Sequence, residues 1–204
     1  MVKASSHSRR TQAERSESTR TALLKAGRRL FSEQGYARSG QEAIVAAAGV
    51  TRGALQHHFG TKQSLFVAVY EEVEQEVVAS VAEAAMATGH DHPLEMLRSG
   101  CQAYLDAMLD PTVQRICAVD GPAVVPTDIR QDITDRYALG LVRETVRHAV
   151  EIGEIRDTPV EPLTRMLLAG LIAAAQYVAT APNPRVARVE AGESVDLLLA
   201  SLPR

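Results

Sequence analysis

The segment from Ser39 to Lys62 constrains the fold more than any other, because it has room for two short helices only and punctuates both. Ser39-Gly-Gln-Glu42 has the spacing of a capping box, with the serine accepting from one orphan amide and the glutamate reaching back to another. A short helix follows with Ile44, Ala47 and Ala48 inward, and Ala48-Gly49-Val50 breaks it. Thr51 stands at the N-cap of a second short helix, Arg52 to His58, with Leu55 and Phe59 on its inner side. Gly60 ends that helix, and Thr61 caps the next, which starts at Lys62. An amphipathic helix from Glu14 to Gln34 precedes the pair, with Leu23, Ala26, Gly27, Leu30 and Phe31 on one face and Gly35 as its stop. Two short helices joined by a tight turn and braced by a third make a helix-turn-helix.

Charge divides the chain in the same place. Through Lys62 there are eleven Lys and Arg against four acids, a net +7; the remainder holds eleven against 21, a net −10. A basic head on an acidic body points to a polyanion as the partner of the head. Residues 1–13 have no apolar periodicity and read as a flexible basic arm, 14–62 as the DNA-binding domain, and 63–204 as a second helical domain. Beyond Lys62 helical periodicity continues over about 62–86, 94–109, 113–119, 127–152, 162–180 and 184–202, broken at Gly and Pro. No strand alternation appears, so the class is all-α, with about nine helices.

Other classes find little support. No Ser/His/Asp order at a recognisable turn, no phosphate-cradling glycine loop and no ligand-spaced Cys/His set occurs, so neither an enzyme nor a cofactor or metal is expected. His57 and His58 are neighbours on a helix and point about 100° apart, and His90-Asp-His92 lacks a third ligand. Cys101 and Cys117 sit in apolar helical patterns and read as buried thiols. No uninterrupted run of about eighteen apolar residues occurs and the first twenty residues lack a signal-like apolar stretch, so a cytoplasmic protein without membrane association is expected. An all-α protein-interaction adaptor is the competing class, and loss of binding with rising salt distinguishes DNA from protein as the partner.

With Leu55 and Phe59 inward, the outward set of the second short helix is Arg52, Gly53, Gln56 and His57, with Thr51 at its tip. Arg52 is the candidate for base readout, since a guanidinium pairs bidentately with guanine O6 and N7. Gly53 allows close backbone approach, Gln56 and His57 take phosphates or base edges, Lys62 is placed to clamp a phosphate, and Ser39 adds a hydroxyl contact. Arg28, Arg29, Arg9 and Arg10 are candidates for flanking phosphates.

In the body, a ligand pocket among the middle helices is expected to draw on Met86, Cys101, Tyr104, Met108, Tyr137, Met166, Gln176 and Tyr177. A homodimer interface is expected on the last two helices, through Leu167, Gly170, Leu171 and Ala174 on the first and Val195, Leu198, Leu199 and Leu202 on the second.

Residues 17–66 resemble the DNA-binding domain of the TetR/AcrR family of bacterial regulators. The resemblance is carried by Leu30-Phe31 with Gly35-Tyr36, by Ile44-Val-Ala-Ala-Ala-Gly49-Val50, by Thr51-Arg-Gly-Ala-Leu-Gln-His-His-Phe59 and by Lys62-Gln-Ser-Leu-Phe66. It implies a dimeric transcriptional repressor, or an activator of the same family, that binds a palindromic double-stranded operator and is released by a small-molecule effector. Two positions depart from the family pattern: Gln56 stands where tyrosine is usual, and Gly40 where a larger residue is usual.

Overall fold

The computed structural model describes residues 5–89 and 92–202, with the side chains of 5–11 outside that description. Arg9, Arg10 and the pair His90–Asp91 therefore lie outside the residues whose side chains are described. Among the described residues the fold is all-α, with nine helical rods and no strand. The rods are α1 (Ser5–Arg38), α2 (Gln41–Ala48), α3 (Arg52–Phe59), α4 (Lys62–Met86) and α5 (Pro93–Ala107). Then come α6 (111–124), α7 (127–151), α8 (Val160–Thr180) and α9 (Pro184–Ala200). The chain divides into two compact units, residues 1–70 and 71–204, and the division falls inside α4.

In the first unit helix begins at Ser5, so most of the stretch expected as an arm is helical. Its run of Arg, Gln, Ala and Glu is made of good helix formers, which keep a helix going where no apolar face guides it. Gly35 does not end α1 outright. It bends the rod at φ 81°, a left-handed conformation that glycine adopts without a Cβ clash. Ser39 then fixes the corner. Its side chain is fully buried, with the hydroxyl 2.8 Å from the Gly35 carbonyl and 3.0 Å from that of Leu30.

This corrects the capping-box expectation. The N-cap of α2 is Gly40, which has no side chain to cap with, while the Ser39 hydroxyl serves the end of α1 instead. Phe31, Tyr36 and Phe66 form the centre of the unit, with ring centroids 5.1 to 5.9 Å apart and mostly edge-to-face. Around them Leu23, Ile44, Leu55 and Leu65 are buried; each such side chain contributes about 1.5–3 kcal/mol by leaving water.

The second unit is built on α5, which packs against α7, α8 and α9, with α8 and α9 forming a helical pair. Leu97, Val146, Ala149 and Ile155 make a core cluster to which Leu163, Leu167 and Leu202 add partly buried surface. The α5–α9 contact is polar along one edge, at four-residue intervals on both helices. The Arg98 guanidinium donates to both oxygens of Asp196 at 3.0 Å. Gln102 Nε2 donates to Asp196 and to the Gly192 carbonyl, at 2.8 and 3.1 Å. Arg188 donates to Asp106 at 2.5 Å and to Gln102 Oε1 at 2.7 Å. Gly192 makes this possible, since a Cβ there would lie 2.5 Å from Arg188 Nη1.

Two stretches are wound more loosely than an α-helix: Gln114–Asp120 within α6 and Asp135–Leu139 within α7 are π-helical, a form that often accompanies functional sites. Helix α8 is, among the described residues, the one rod long and apolar enough to span a membrane by length and composition, and 28% of its most apolar window is buried.

Candidate nucleic-acid interface and ligand cavity

The turn between α2 and α3 is closed by Gly49 at φ 66°, with the Gly49 and Val50 amides donating to the carbonyls of Ala46 and Val45. Thr51 opens α3 as expected, its hydroxyl accepting from the Ala54 amide at 3.2 Å. Leu55, 1% exposed, is the buried anchor of α3. Phe59 differs from the expectation. It is half-buried, and the Arg20 guanidinium lies 4.8 Å above its ring, so a stem of α1 covers this end of α3 instead of the core.

With Leu55 pinned inward, Arg52, Gly53, Gln56 and His57 are all exposed on one side of α3. The Arg52 guanidinium has no ion pair among the described residues, and the Gly53 position opens onto free space, the nearest side-chain atom being Thr51 Oγ1 at 3.8 Å from a built Cβ. An eight-residue helix is about 12 Å long, short enough to enter the ~12 Å major groove by its end. The outward set therefore combines a planar double donor, an amide, an imidazole and a bare backbone on one face.

Two members of the expected set are placed differently. Ser39 is enclosed and its hydroxyl committed to carbonyls, so it is corrected from a DNA contact to a structural pin. Lys62 is half-buried. Its ammonium donates to the Tyr36 carbonyl at 3.0 Å and sits 4.0 Å from the centre of the Tyr36 ring, tying the start of α4 to the end of α1. An ammonium carries three protons, and the Tyr36 carbonyl takes one of them. Sequence reading missed Tyr36 as this anchor; the signal was there, in an aromatic beside the glycine that bends α1. Arg29 pairs with Glu33 one turn on.

In the second unit a cavity of about 800 Å³ opens between α4, α5, α7 and α8. Its wall is mostly aliphatic, and Met86, Cys101, Tyr104 and Tyr137 of the expected set line it. Met108, Met166, Gln176 and Tyr177 do not. Met108 is buried in the core; Met166 and Tyr177 are 71% and 51% exposed, the latter donating its hydroxyl to Glu190 at 2.5 Å; Gln176 is exposed too. The reason is rotational: residues 166, 176 and 177 lie on the outward side of α8, whereas Leu167, Leu168 and Leu171 face the cavity. Four of the eight residues expected at an interface on α8 and α9 turn inward in the same way. Leu167, Leu171 and Leu199 belong to the cavity wall, Val195 is buried, and Leu198 is 59% exposed with Gly170 also exposed. Ala174 and Leu202 are intermediate.

Burial raises the Tyr104 phenol well above its ordinary range, and the nearby Glu74 carboxylate adds to the effect, so the hydroxyl stays protonated. Burial likewise pushes the Cys101 thiol up to about 11, which leaves it an unreactive part of the wall. Where α4 meets the π-helical turn, Tyr137 donates to Glu71 at 2.7 Å, Gln75 donates to Tyr137 at 2.5 Å, and Arg136 donates to Glu71 at 2.5 Å. Among the described residues no group of three or more His, Cys, Asp or Glu is placed to hold a metal.

A helix-turn-helix with an exposed basic reading helix, followed by a cavity-bearing helical unit, defines a class of one-chain DNA-binding regulators. Residues 23–69 match the family described as bacterial regulatory proteins of the TetR family, and residues 94–202 match the tetracyclin repressor-like C-terminal domain. The chain belongs to the TetR family and is a DNA-binding transcriptional regulator. It is 30% identical to the HTH-type transcriptional regulator AcrR of Shigella flexneri over 77% of this chain and 74% of that one. It is 32% identical to the regulator CymR of Pseudomonas putida, a match that spans 61% of this chain and 63% of that protein's length. Among solved structures, a TetR-family transcriptional regulator from Pectobacterium atrosepticum superposes with a TM-score of 0.81 at 29% identity, over 94% of this chain and 98% of that one.

Proposed function

We propose that the chain acts as a homodimeric repressor that holds a palindromic operator through two copies of α3 and leaves it when a small molecule fills the cavity. The observation that carries this reading is the apolar cavity of about 800 Å³ in a unit separate from the one that bears the reading helix. Binding energy gained there has no direct contact with DNA, so it acts by favouring a form whose reading heads are wrongly spaced. Relatives support the reading: BepR of Brucella suis, 32% identical over 53% of this chain, is named a transcriptional repressor. The fold-level neighbour RolR, at 20% identity, was solved with resorcinol bound.

On this reading Arg52 reads a base, Gln56 and His57 meet base edges or phosphates, Thr51 and Gly53 bring the helix tip close, and Lys62 adds a phosphate. The dimer forms on the outward faces of α8 and α9, where Met166, Tyr177, Val186, Val189, Leu197 and Leu198 expose apolar surface that a lone protomer leaves in water. The cytoplasm is where such a protein meets its operator. Selection of bound duplexes from random DNA, followed by mobility shifts of the winner at several salt concentrations, tests the reading. A preferred palindrome whose binding weakens with salt is expected; equal binding to every duplex overturns it. Light scattering that finds a stable monomer at micromolar concentration overturns the dimer.

A further inference from the structure

The residues that line the cavity carry four hydroxyls, on Tyr104, Thr134, Tyr137 and Thr145. Tyr137 donates to Glu71 and accepts from Gln75, and Thr145 donates to the Leu141 carbonyl at 3.0 Å. Among the described residues the hydroxyls of Tyr104 and Thr134 take part in no hydrogen bond. These two differ in what lies within reach. A threonine hydroxyl can turn back to the carbonyl one helical turn earlier, which for Thr134 is that of Arg130. A phenol hydroxyl stands at the end of a rigid ring, beyond its own backbone, and has to find its partner elsewhere.

Tyr104 is the last cavity residue of α5, on the face that also carries Leu97, Gly100 and Cys101. Protein closes round its ring, and burial is the main reason its proton is held so firmly. Glu74 and Cys117 add to that through space, by charge. The hydroxyl is nonetheless not sealed in. Among the described residues no side-chain oxygen or nitrogen is both shut off from solvent and without a partner, so an unpartnered phenol oxygen borders open space. For a ring enclosed on the cavity wall, that space is the cavity.

A fixed, protonated donor in a mostly aliphatic wall selects among ligands. Water in the cavity satisfies the O–H. An apolar ligand that displaces this water strands the donor, whereas a ligand with an acceptor oxygen in the right place restores the bond. A carboxylate would restore it too, but it gives up its hydration to an aliphatic surround, a loss that one phenol does not offset. The Arg136 guanidinium on the wall already donates to Glu71 and Asp132. An ammonium has no lone pair to offer the hydroxyl. The aliphatic wall asks for the rest of the ligand to be apolar.

We propose that the effector of this cavity is an uncharged, largely apolar molecule with a hydrogen-bond acceptor, such as a carbonyl oxygen, held by the Tyr104 hydroxyl. This rests on the reading of the cavity as the effector site. The test is equilibrium dialysis of the full chain, without DNA, against benzophenone, diphenylmethane and diphenylacetate. The first two share size and shape and differ by one carbonyl oxygen; the third carries a carboxylate. Tyr104→Phe removes the hydroxyl and keeps the ring. It is expected to lower the ratio of benzophenone to diphenylmethane affinity about ten-fold, weakening the ketone and leaving the hydrocarbon as tight or tighter. Thermal melts of each variant verify folding. A ratio unchanged in Tyr104→Phe overturns the proposal, and so does diphenylacetate binding more tightly than benzophenone. Val78→Phe on α4 and Leu168→Phe on α8 narrow the cavity from two sides and separate the two levels of the argument. If they weaken both neutral probes while Tyr104→Phe leaves the ratio unchanged, the cavity stands as a binding site and only the role of Tyr104 falls. If no probe binds, or neither narrowing variant weakens any, the cavity reading falls as well. Because DNA is absent, the outcome does not depend on whether a bound ligand releases the operator.

Discussion

Residues 1–70 and residues 71–204 spend their large side chains in opposite ways. In the first unit Phe31, Tyr36 and Phe66 meet ring on ring, and chemistry is confined to the outside of one eight-residue helix. In the second, Leu97, Leu167, Leu171 and Leu199 line a cavity of about 800 Å³ and leave it unfilled. On the proposed reading the head presents Arg52 and Gln56 in one geometry, and close packing supplies that rigidity. On the same reading the body senses an effector and must have two arrangements of similar energy, which unfilled volume helps to keep close.

The contrast can be broken most forcefully by truncation in each unit. Phe66→Ala is expected to destabilise by about 3–5 kcal/mol, since the ring has neighbours on every side and leaves a hole. Leu171→Ala removes a side chain that already borders empty space, and should cost about 2 kcal/mol or less. Chemical denaturation of the two variants checks this, and equal losses would show that the cavity is filled in solution. Arg52→Ala should leave unfolding unchanged and weaken operator binding by about 1–3 kcal/mol, relaxing base preference at one position per half-site. Mobility shifts against single-base operator variants read both effects. Thr51→Ala removes the cap of α3 and should lower stability by about 1 kcal/mol, measured by thermal melting. Gly192→Ala comes next. Its methyl would push the flexible ends of Arg188 and Gln102 aside and disturb their polar contacts along the α5–α9 edge, a loss partly offset by the better helix propensity of alanine, so the net cost is about 1 kcal/mol or less.

How much of this was visible in the sequence also differs between the units. The helix-turn-helix was legible because its signals are local: Gly49 for the turn, Thr51 for the cap, Leu55 for the inward face. Ser39 was misread, since a serine three residues before a glutamate fits a capping box equally well whether its hydroxyl turns forward to α2 or back to Gly35. In the second unit the helices were legible to within a few residues, but which side of each faces the cavity was not. Helix α8 is apolar nearly all round, so periodicity gives no phase. Met166 and Tyr177, chosen by residue type, lie outside, while Leu167 and Leu171, expected at the interface, line the cavity. The π-helical turns had no sequence signature at all, and they shift the register of every residue that follows within α7.

Lys62 has a structural contact and a proposed DNA contact, and the smallest expected effect separates them. Its ammonium is tied to the Tyr36 carbonyl and ring, an anchor within the first unit whose loss in Lys62→Met should cost about 0.5–1 kcal/mol of stability. On the proposed reading the ammonium also meets a phosphate, so the same variant should weaken every duplex alike and reduce the slope of log affinity against log salt by about one per contact. Arg52→Ala gives the opposite pattern, with base preference altered and stability kept. A fall in stability with an unchanged salt slope would make Lys62 an anchor alone and leave the phosphate to another cation of the head. A changed slope with unchanged stability would mean that the ammonium leaves Tyr36 for the DNA at little cost.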